Sequence, residues 1–380
     1  MNSLPRIVIC SNTAWSLYNF RRSLIRALVA DGFEVVAVAP EDEYTERLWR
    51  VGCRYVSMPM DNKGTSPARD LGLLIRLRNL LARERPVAYL GYTIKPNIYG
   101  ALAAQSLGIP VINNVAGLGA VFVRSTWLTL VAKLLYRLAL SRSRRVFFQN
   151  REDRSLFVSE RLVRETQTGL LPGSGANLAH FAPSPSRAPD GQLRFLLLAR
   201  MLWDKGVGEF INAARLVQQT HPEARFQLLG FLDVQNPAAI DRSVVESWVA
   251  EGIVEYLGNT DDVRPYLAAA DCVVLPSYYR EGVPRSLIEA AAMAKPIITT
   301  DWSGCREVVD NGENGLLVAP RDVCSLAKAM TAFCDFPSGR RAEMGVASRR
   351  KAVREFDETV VVDCYRKEIA AILEQRDTRA

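Results

Sequence analysis

Two carboxylates, Glu281 and Glu289, bracket a turn in the stretch SYYREGVPRSLIEAAAMAKPIITTDWSGCREVVD, Ser277 to Asp310. The apolar run before it, Asp271 to Pro276, reads as a buried parallel strand. Gly282 and Pro284 exclude regular structure in the turn REGVPRS. From Ser286 onward helix propensity is high, so the turn lies at a helix N-terminus. Exposed backbone N–H groups and the positive end of the dipole make such a place an anion site. Eight residues would span about 12 Å at ~1.5 Å per residue if all were helical. One glutamate then sits in the loop and the other on the helix, on roughly one face. Alone, such a pair reads as solvated surface acids. With this flanking sequence it suits a ligand carrying an anionic centre and a hydroxylated group at each end, as a nucleotide diphosphate sugar does.

The elements that must position this pair point the same way. Glu281-x7-Glu289, the strand ending DCVVLPS, and AMAKPIITTDWSGCREVVDNGENGLLV together resemble the nucleotide-sugar signature of the family-four retaining glycosyltransferases. The resemblance continues through ARMLWDKG (Ala199 to Gly206) and VEYLGNTDDVRPYLAAAD (Val254 to Asp271). In the first half, YTIKPNIYGALAA and NNVAGLGAVF resemble the branch that builds bacterial surface polysaccharides, including lipopolysaccharide and capsule. The implied fold class is α/β of the GT-B type: two Rossmann-like, doubly wound parallel-sheet domains facing each other across a cleft.

Composition agrees with a globular protein long enough for two domains. The chain has 380 residues, 48% apolar and 23% charged. Its seven cysteines (10, 53, 272, 305, 324, 334, 364) form no CxxC pair, which argues against a disulfide scaffold or zinc module. The opening MNSLPRIVICSN reads as a short lead into a strand rather than a signal peptide. No apolar stretch reaches the ~18 residues of a spanning helix. The expected location is therefore cytoplasmic, peripheral on the inner face of the cell membrane. The net charge of +7 is uneven: residues 1–180 hold 24 Lys and Arg against 13 Asp and Glu, and residues 181–380 hold 24 against 28. The basic first half calls for an anionic partner. No finger, helix-turn-helix or aromatic RNA-binding pattern accompanies it, so nucleic acid is not expected. Trp127 to Leu140, WLTLVAKLLYRLAL, reads either as a basic amphipathic helix lying in a membrane interface or as a core helix with a charged end. With the basic helix Arg69 to Arg85 it favours an anionic leaflet.

Both halves alternate short apolar strands with amphipathic helices, the pattern of doubly wound sheets. In the first half the strands are Arg6–Cys10, Glu34–Ala39, Tyr55–Met58, Val87–Tyr92, Pro110–Asn114 and Arg145–Gln149, with a helix over Asn19–Ala30. The expected domains are 1–175, with the terminal helix in 357–380 packing back on it, and 190–356. Residues 176–189, rich in Pro, Gly and Ser, form the linker. Ligands of such sheets bind beyond the carboxyl ends of the strands. The loop after strand one, Ser11 to Tyr18, lacks GxGxxG, which removes the main argument for a dinucleotide enzyme.

The resemblance implies roles residue by residue. Arg200 and Lys205 match the family's Arg-x4-Lys pair and hold the diphosphate, meeting the charge that grows on the leaving group. Glu289 binds the ribose, Glu281 the hydroxyls of the transferred sugar, beside the amides of Gly282 and Val283. Pro284 replaces the small residue usual in the family and removes one donor. The amides of Ser286 and Leu287 remain for phosphate, Arg285 adds charge there or at the acceptor, and Asn259 and Thr260 lie where the base is read. In the acceptor-binding first half the candidates are Thr13, Ser16, Lys95, Asn114, Gly117 and Gly119. The family's usual histidine near the last two is missing, since the chain has only His180 and His221. No metal and no cofactor are expected. The implied reaction is a retaining, metal-independent hexosyl transfer from a UDP-N-acetylhexosamine to an undecaprenyl-diphosphate-linked saccharide. The alternatives are a UDP-sugar 2-epimerase of the same fold, or a non-catalytic nucleotide-sugar-binding partner.

Overall fold

The computed structural model describes residues 4–61, 66–117, 127–184 and 191–378. The chain divides into two compact units. One takes the described residues up to Ser174 together with those from Glu358 onward, and the other spans Gly175–Asp357.

The first unit is built on β1 (Arg6–Cys10), β2 (Glu34–Ala39), β3 (Arg54–Ser57), β4 (Ala88–Tyr92), β5 (Val111–Val115), β6 (Arg145–Phe148) and β7 (Thr168–Leu170). All pair in parallel in the order β3-β2-β1-β4-β5-β6-β7. Helices α1 (Ala14–Ala30), α2 (Thr45–Trp49), α3 (Pro67–Glu84), α4 (Ala101–Gln105), α5 (Trp127–Leu140) and α6 (Arg151–Ser159) connect them. The last strand is only three residues long and half exposed, so no apolar run announces it. Helix α1 begins five residues before the expected Asn19. Thr13 caps it by accepting the Ser16 amide at 3.1 Å, and Asp42 accepts the Trp15 amide at 2.9 Å. Capping of this kind adds the missing first turn.

The second unit is built on β8 (Arg194–Leu198), β9 (Arg225–Leu229), β10 (Glu255–Tyr256), β11 (Cys272–Leu275), β12 (Ile297–Thr300) and β13 (Gly315–Val318), parallel in the order β10-β9-β8-β11-β12-β13. Helices α7 (Val207–Gln218), α8 (Arg242–Ala250), α9 (Arg264–Ala269), α10 (Arg285–Ala292), α11 (Val323–Asp335) and α12 (Ser338–Glu355) cover its faces. Each sheet has an apolar cluster on either face, as buried parallel strands require.

Helix α13 (Glu358–Asp377) belongs to the first unit. Its Val361, Tyr365, Ile369 and Ile372 are buried against α1 and β4, each contributing roughly 2 kcal/mol of apolar burial. Residues 176–184 of the expected linker pack within the second unit instead. The Ala176 amide donates to the Phe356 carbonyl at 2.8 Å, and Arg349 donates to the carbonyls of Leu178 and Phe181. Residues 185–190 lie outside the described residues.

Candidate active site

The carboxyl edge of the second sheet is closed by backbone contacts that admit no side chain. Gly206 has φ +77°, and a Cβ there would stand 2.2 Å from the Pro276 carbonyl oxygen. The turn after β8 therefore lies directly on the end of β11. Gly304 has φ +84°, and a Cβ there would stand 2.0 Å from the Gly282 carbonyl, which presses the loop after β12 onto the loop before α10. Only glycine takes both this conformation and this approach. Further ties run between strand ends: Thr299 donates to the Leu275 carbonyl at 2.6 Å, and Thr300 to that of Ser277.

This framework brings Lys205 against Glu281, 76 residues further along the chain. The ammonium donates to both carboxylate oxygens, at 2.5 and 2.6 Å. The Ser277 hydroxyl, wholly buried, donates to the same carboxylate at 3.1 Å and lies 3.3 Å from the Asp204 carbonyl. Tyr279 flanks the pair, with the Lys205 nitrogen 5.5 Å from its ring centroid. Burial raises the Tyr279 phenol while the nearby Arg200 charge pulls it down, so Arg200 stands on the same side. Arg200 itself is exposed and in no ion pair among the described residues. The spacing of charged residues gives no signal for Ser277 or Tyr279. Their position after a strand ending in Pro276 is the feature that singles them out.

One helical turn away, Arg285 donates to Glu289 at 2.7 Å, an i,i+4 pair on α10. Burial holds the Glu289 carboxyl above the usual carboxylate range, against the pull of the Arg285 charge. Each member of the Glu-x7-Glu spacing thus carries its own cation. At the start of α10 the Leu287 amide donates to the Pro284 carbonyl at 3.2 Å, so of the expected amide pair it is Ser286 that opens onto the helix N-terminus. Val283 turns its side chain into the core. Asn259 is exposed, and the Thr260 hydroxyl accepts the Asp262 amide at 3.1 Å within its own turn.

The first-unit candidates are not gathered in this way. The Thr13 hydroxyl is taken up in accepting the Ser16 amide at the start of α1. Lys95 pairs with Asp70 at 2.5 Å, both largely buried. Asn114 is fully buried and donates to the Tyr365 hydroxyl at 3.1 Å; Asn113 beside it bonds Asn97 and Ser143. Gly117 has φ +111° and is half-buried, while Gly119 lies outside the described residues.

Comparison with known proteins gives the family and the fold. Residues 192–335 match the family model "Glycosyl transferases group 1", and residues 19–173 match "Glycosyl transferase 4-like domain". The chain belongs to this glycosyltransferase family. The Glu281–Lys205 site and α10 fall inside the first of these matches. Among relatives, this glycosyltransferase is 28% identical over 378 residues to the N,N'-diacetylbacillosaminyl-diphospho-undecaprenol alpha-1,3-N-acetylgalactosaminyltransferase of Campylobacter jejuni, covering 95% of this chain and 97% of that one. It is 25% identical to the Escherichia coli UDP-Gal:alpha-D-GlcNAc-diphosphoundecaprenol alpha-1,3-galactosyltransferase, over 72% of this chain and 73% of that one. Among solved structures, a Rickettsia africae glycosyltransferase superposes with a TM-score of 0.79 at 16% identity, covering 98% and 99% of the two chains. An Anabaena protein solved with UDP and glucose gives 0.77 at 18%, covering 97% and 100%. These likenesses show the GT-B fold, two parallel-sheet α/β units of seven and six strands.

Proposed function

We propose that this glycosyltransferase transfers an N-acetylhexosamine from a UDP-sugar, with retention of configuration and without a metal, to an undecaprenyl-diphosphate-linked saccharide in bacterial glycan assembly. The reading is carried by the Lys205–Glu281 pair at the carboxyl edge of the second sheet, beside the start of α10. Lys205 and Arg200 take the diphosphate, and their fixed charge stabilises the departing phosphate. Glu281, freed from Lys205 as the phosphate takes that cation, accepts hydroxyls of the sugar. Glu289 accepts the ribose hydroxyls with Arg285 keeping its charge in place. The departing phosphate oxygen receives the proton of the acceptor hydroxyl on the face it leaves. An α-linked nucleotide sugar then yields an α-glycoside.

The donor and acceptor classes draw support from the Campylobacter and Escherichia relatives, whose names carry alpha linkages to undecaprenol-linked diphosphates. A place on the membrane surface draws support from α5, where Leu130, Leu134 and Leu138 are each more than half exposed, on one side with Arg137. Among the described residues no helix is long and apolar enough to cross a membrane.

The test is a donor panel (UDP, GDP and ADP sugars) assayed against a polyprenyl-diphosphate-linked saccharide, with the product anomer read by proton NMR. Turnover of a UDP-N-acetylhexosamine to an α-linked product, undiminished by EDTA, is expected. A β-linked product, or turnover restored only by added metal, would overturn the mechanism.

A further inference from the structure

Three polar groups gather at the carboxyl edge of the first sheet and find no hydrogen-bond partner. Ser11 directly follows β1 and Tyr92 ends β4; Cys10 is in register with Gly91, so Ser11 and Tyr92 come next, side by side. The strand order runs β2-β1-β4, which makes the gap between β1 and β4 the topological switch point of this sheet. Open α/β sheets take their ligands at that crevice. Arg21 lies on the buried face of α1 between Leu17 and Leu24, its guanidinium carbon 4.3 Å from the centroid of the Tyr92 ring.

Ser11, Arg21 and Tyr92 are 0%, 5% and 2% exposed. The Ser11 hydroxyl, Arg21 Nη1 and the Tyr92 hydroxyl each lack a hydrogen bond of normal geometry; the Tyr92 hydroxyl lies close enough to that of Tyr365 for the two phenols to interact. Nor does a carboxylate among the described residues pair with Arg21. The acids of the packed elements are engaged elsewhere: Glu358 with Ser23, Asp31 with Arg366, and Glu368 with Arg145. A buried guanidinium that faces the phenols of Tyr92 and Tyr365 and no carboxylate is poorly compensated. Arginine offers donors and no acceptor, and both hydroxyls can donate. What the three lack in common is an acceptor bearing negative charge. Asn12 and Thr13, the next residues, are partly exposed, so the group lies one residue in from solvent.

We propose that Ser11, Arg21 and Tyr92 form a phosphate-binding subsite at the switch point of the first unit. Arg21 supplies the charge, and the two hydroxyls donate to the remaining oxygens. The phosphate is either free or part of the acceptor's diphosphate; only the second source rests on the proposed function.

The test is thermal unfolding with pyrophosphate at matched ionic strength, in an Arg200→Gln, Lys205→Met background that removes the second unit's own cations. A concentration-dependent rise in Tm is expected. Arg21→Gln and the Ser11→Ala, Tyr92→Phe double variant should lose it. Without ligand the double variant should be at least as stable as its parent, because it deletes two buried unpartnered hydroxyls; its lost response then cannot be blamed on misfolding. No shift in the parent, or an equal shift in both variants, overturns the subsite. With Arg200 and Lys205 restored, a raised KM for the acceptor at unchanged kcat in the double variant assigns the phosphate to the acceptor. An unchanged KM beside a lost pyrophosphate shift assigns it to free phosphate. A pyrophosphate shift in a protein that shows none with UDP supports the subsite and counts against the donor reading.

Discussion

The Lys205 ammonium sits 2.5 Å from one oxygen of Glu281 and 2.6 Å from the other, so cation and carboxylate neutralise each other before any substrate arrives. With side chains only 10% and 18% exposed, neither charge is well solvated without its partner. Removing one partner leaves the other charge stranded, which costs more than the pair itself is worth.

Lys205→Met and Glu281→Gln should therefore each destabilise the second unit by about 2–4 kcal/mol. The double variant should recover much of that loss. Activity should fall by about a hundredfold or more in each single variant and stay down in the double one. Urea unfolding and steady-state rates on the four proteins of this cycle separate the two roles. Recovery of activity along with stability would mean that the pair is only structural.

Glu289 gives a pH signature. Its folded-state carboxyl lies above the ordinary glutamate range because it is buried, with Arg285 opposing. The folded protein therefore holds this proton to higher pH than the unfolded chain does. The group's contribution is fully present below the unfolded value and is lost as pH rises through the folded one. Glu289→Gln has no such loss, so its stability relative to wild type should rise from acid toward neutral pH. Donor affinity should move the other way in wild type, weakening as pH falls and Glu289 protonates. Unfolding curves and donor titrations across mildly acidic pH check both signs.

Gly206→Ala and Gly304→Ala test the packing of the loops. In each case the new methyl meets a carbonyl oxygen about two ångströms away on a backbone that is itself pinned. A loss of about 3 kcal/mol is expected for each, more than an ordinary glycine replacement costs. Weakened donor binding should accompany it, because both contacts set the position of Lys205 or of the loop that carries Glu281. Thermal unfolding and a UDP titration provide the measurement.

Helix α5 can be altered without touching the core. Leu130, Leu134 and Leu138 are exposed, so replacing all three by Ser should leave Tm within about a degree or two, as surface changes usually do. Sedimentation with vesicles containing anionic lipid should drop at least about tenfold, since burying even part of each leucine contributes on the order of 1 kcal/mol. Unchanged sedimentation would remove α5 from the membrane reading.

The local pattern was enough to place both sheets and the helix after the Glu281 turn, because apolar runs and turn residues act over a few neighbours. It failed where the deciding partner is remote. Lys95 looks like a cation at a strand end, yet Asp70 and its helix claim it from 25 residues away. Asn114 looks available at the end of β5, but its amide is held by Tyr365, 251 residues further on. In the second unit the reverse holds. Lys205 and Glu281 follow strands of one sheet edge, so topology alone brings these two together, with the Arg200 charge near Tyr279 and Glu289 paired with Arg285 on α10. The apolar pattern starts α1 at Asn19 and misses its first turn, which the Thr13 cap and, from another loop, Asp42 complete.

Helix α13 gives the chain a timetable. The apolar face of the first unit waits for Val361, Tyr365, Ile369 and Ile372, which the ribosome adds only after the whole of Gly175–Asp357. At 5–20 residues per second that delay is on the order of ten seconds or more. Throughout it, β1, β4 and α1 stand with an uncovered greasy seam while a second unit is already folding downstream. A newborn chain therefore carries that seam open until its last residues emerge, and a chain cut short ahead of Glu358 would keep it open.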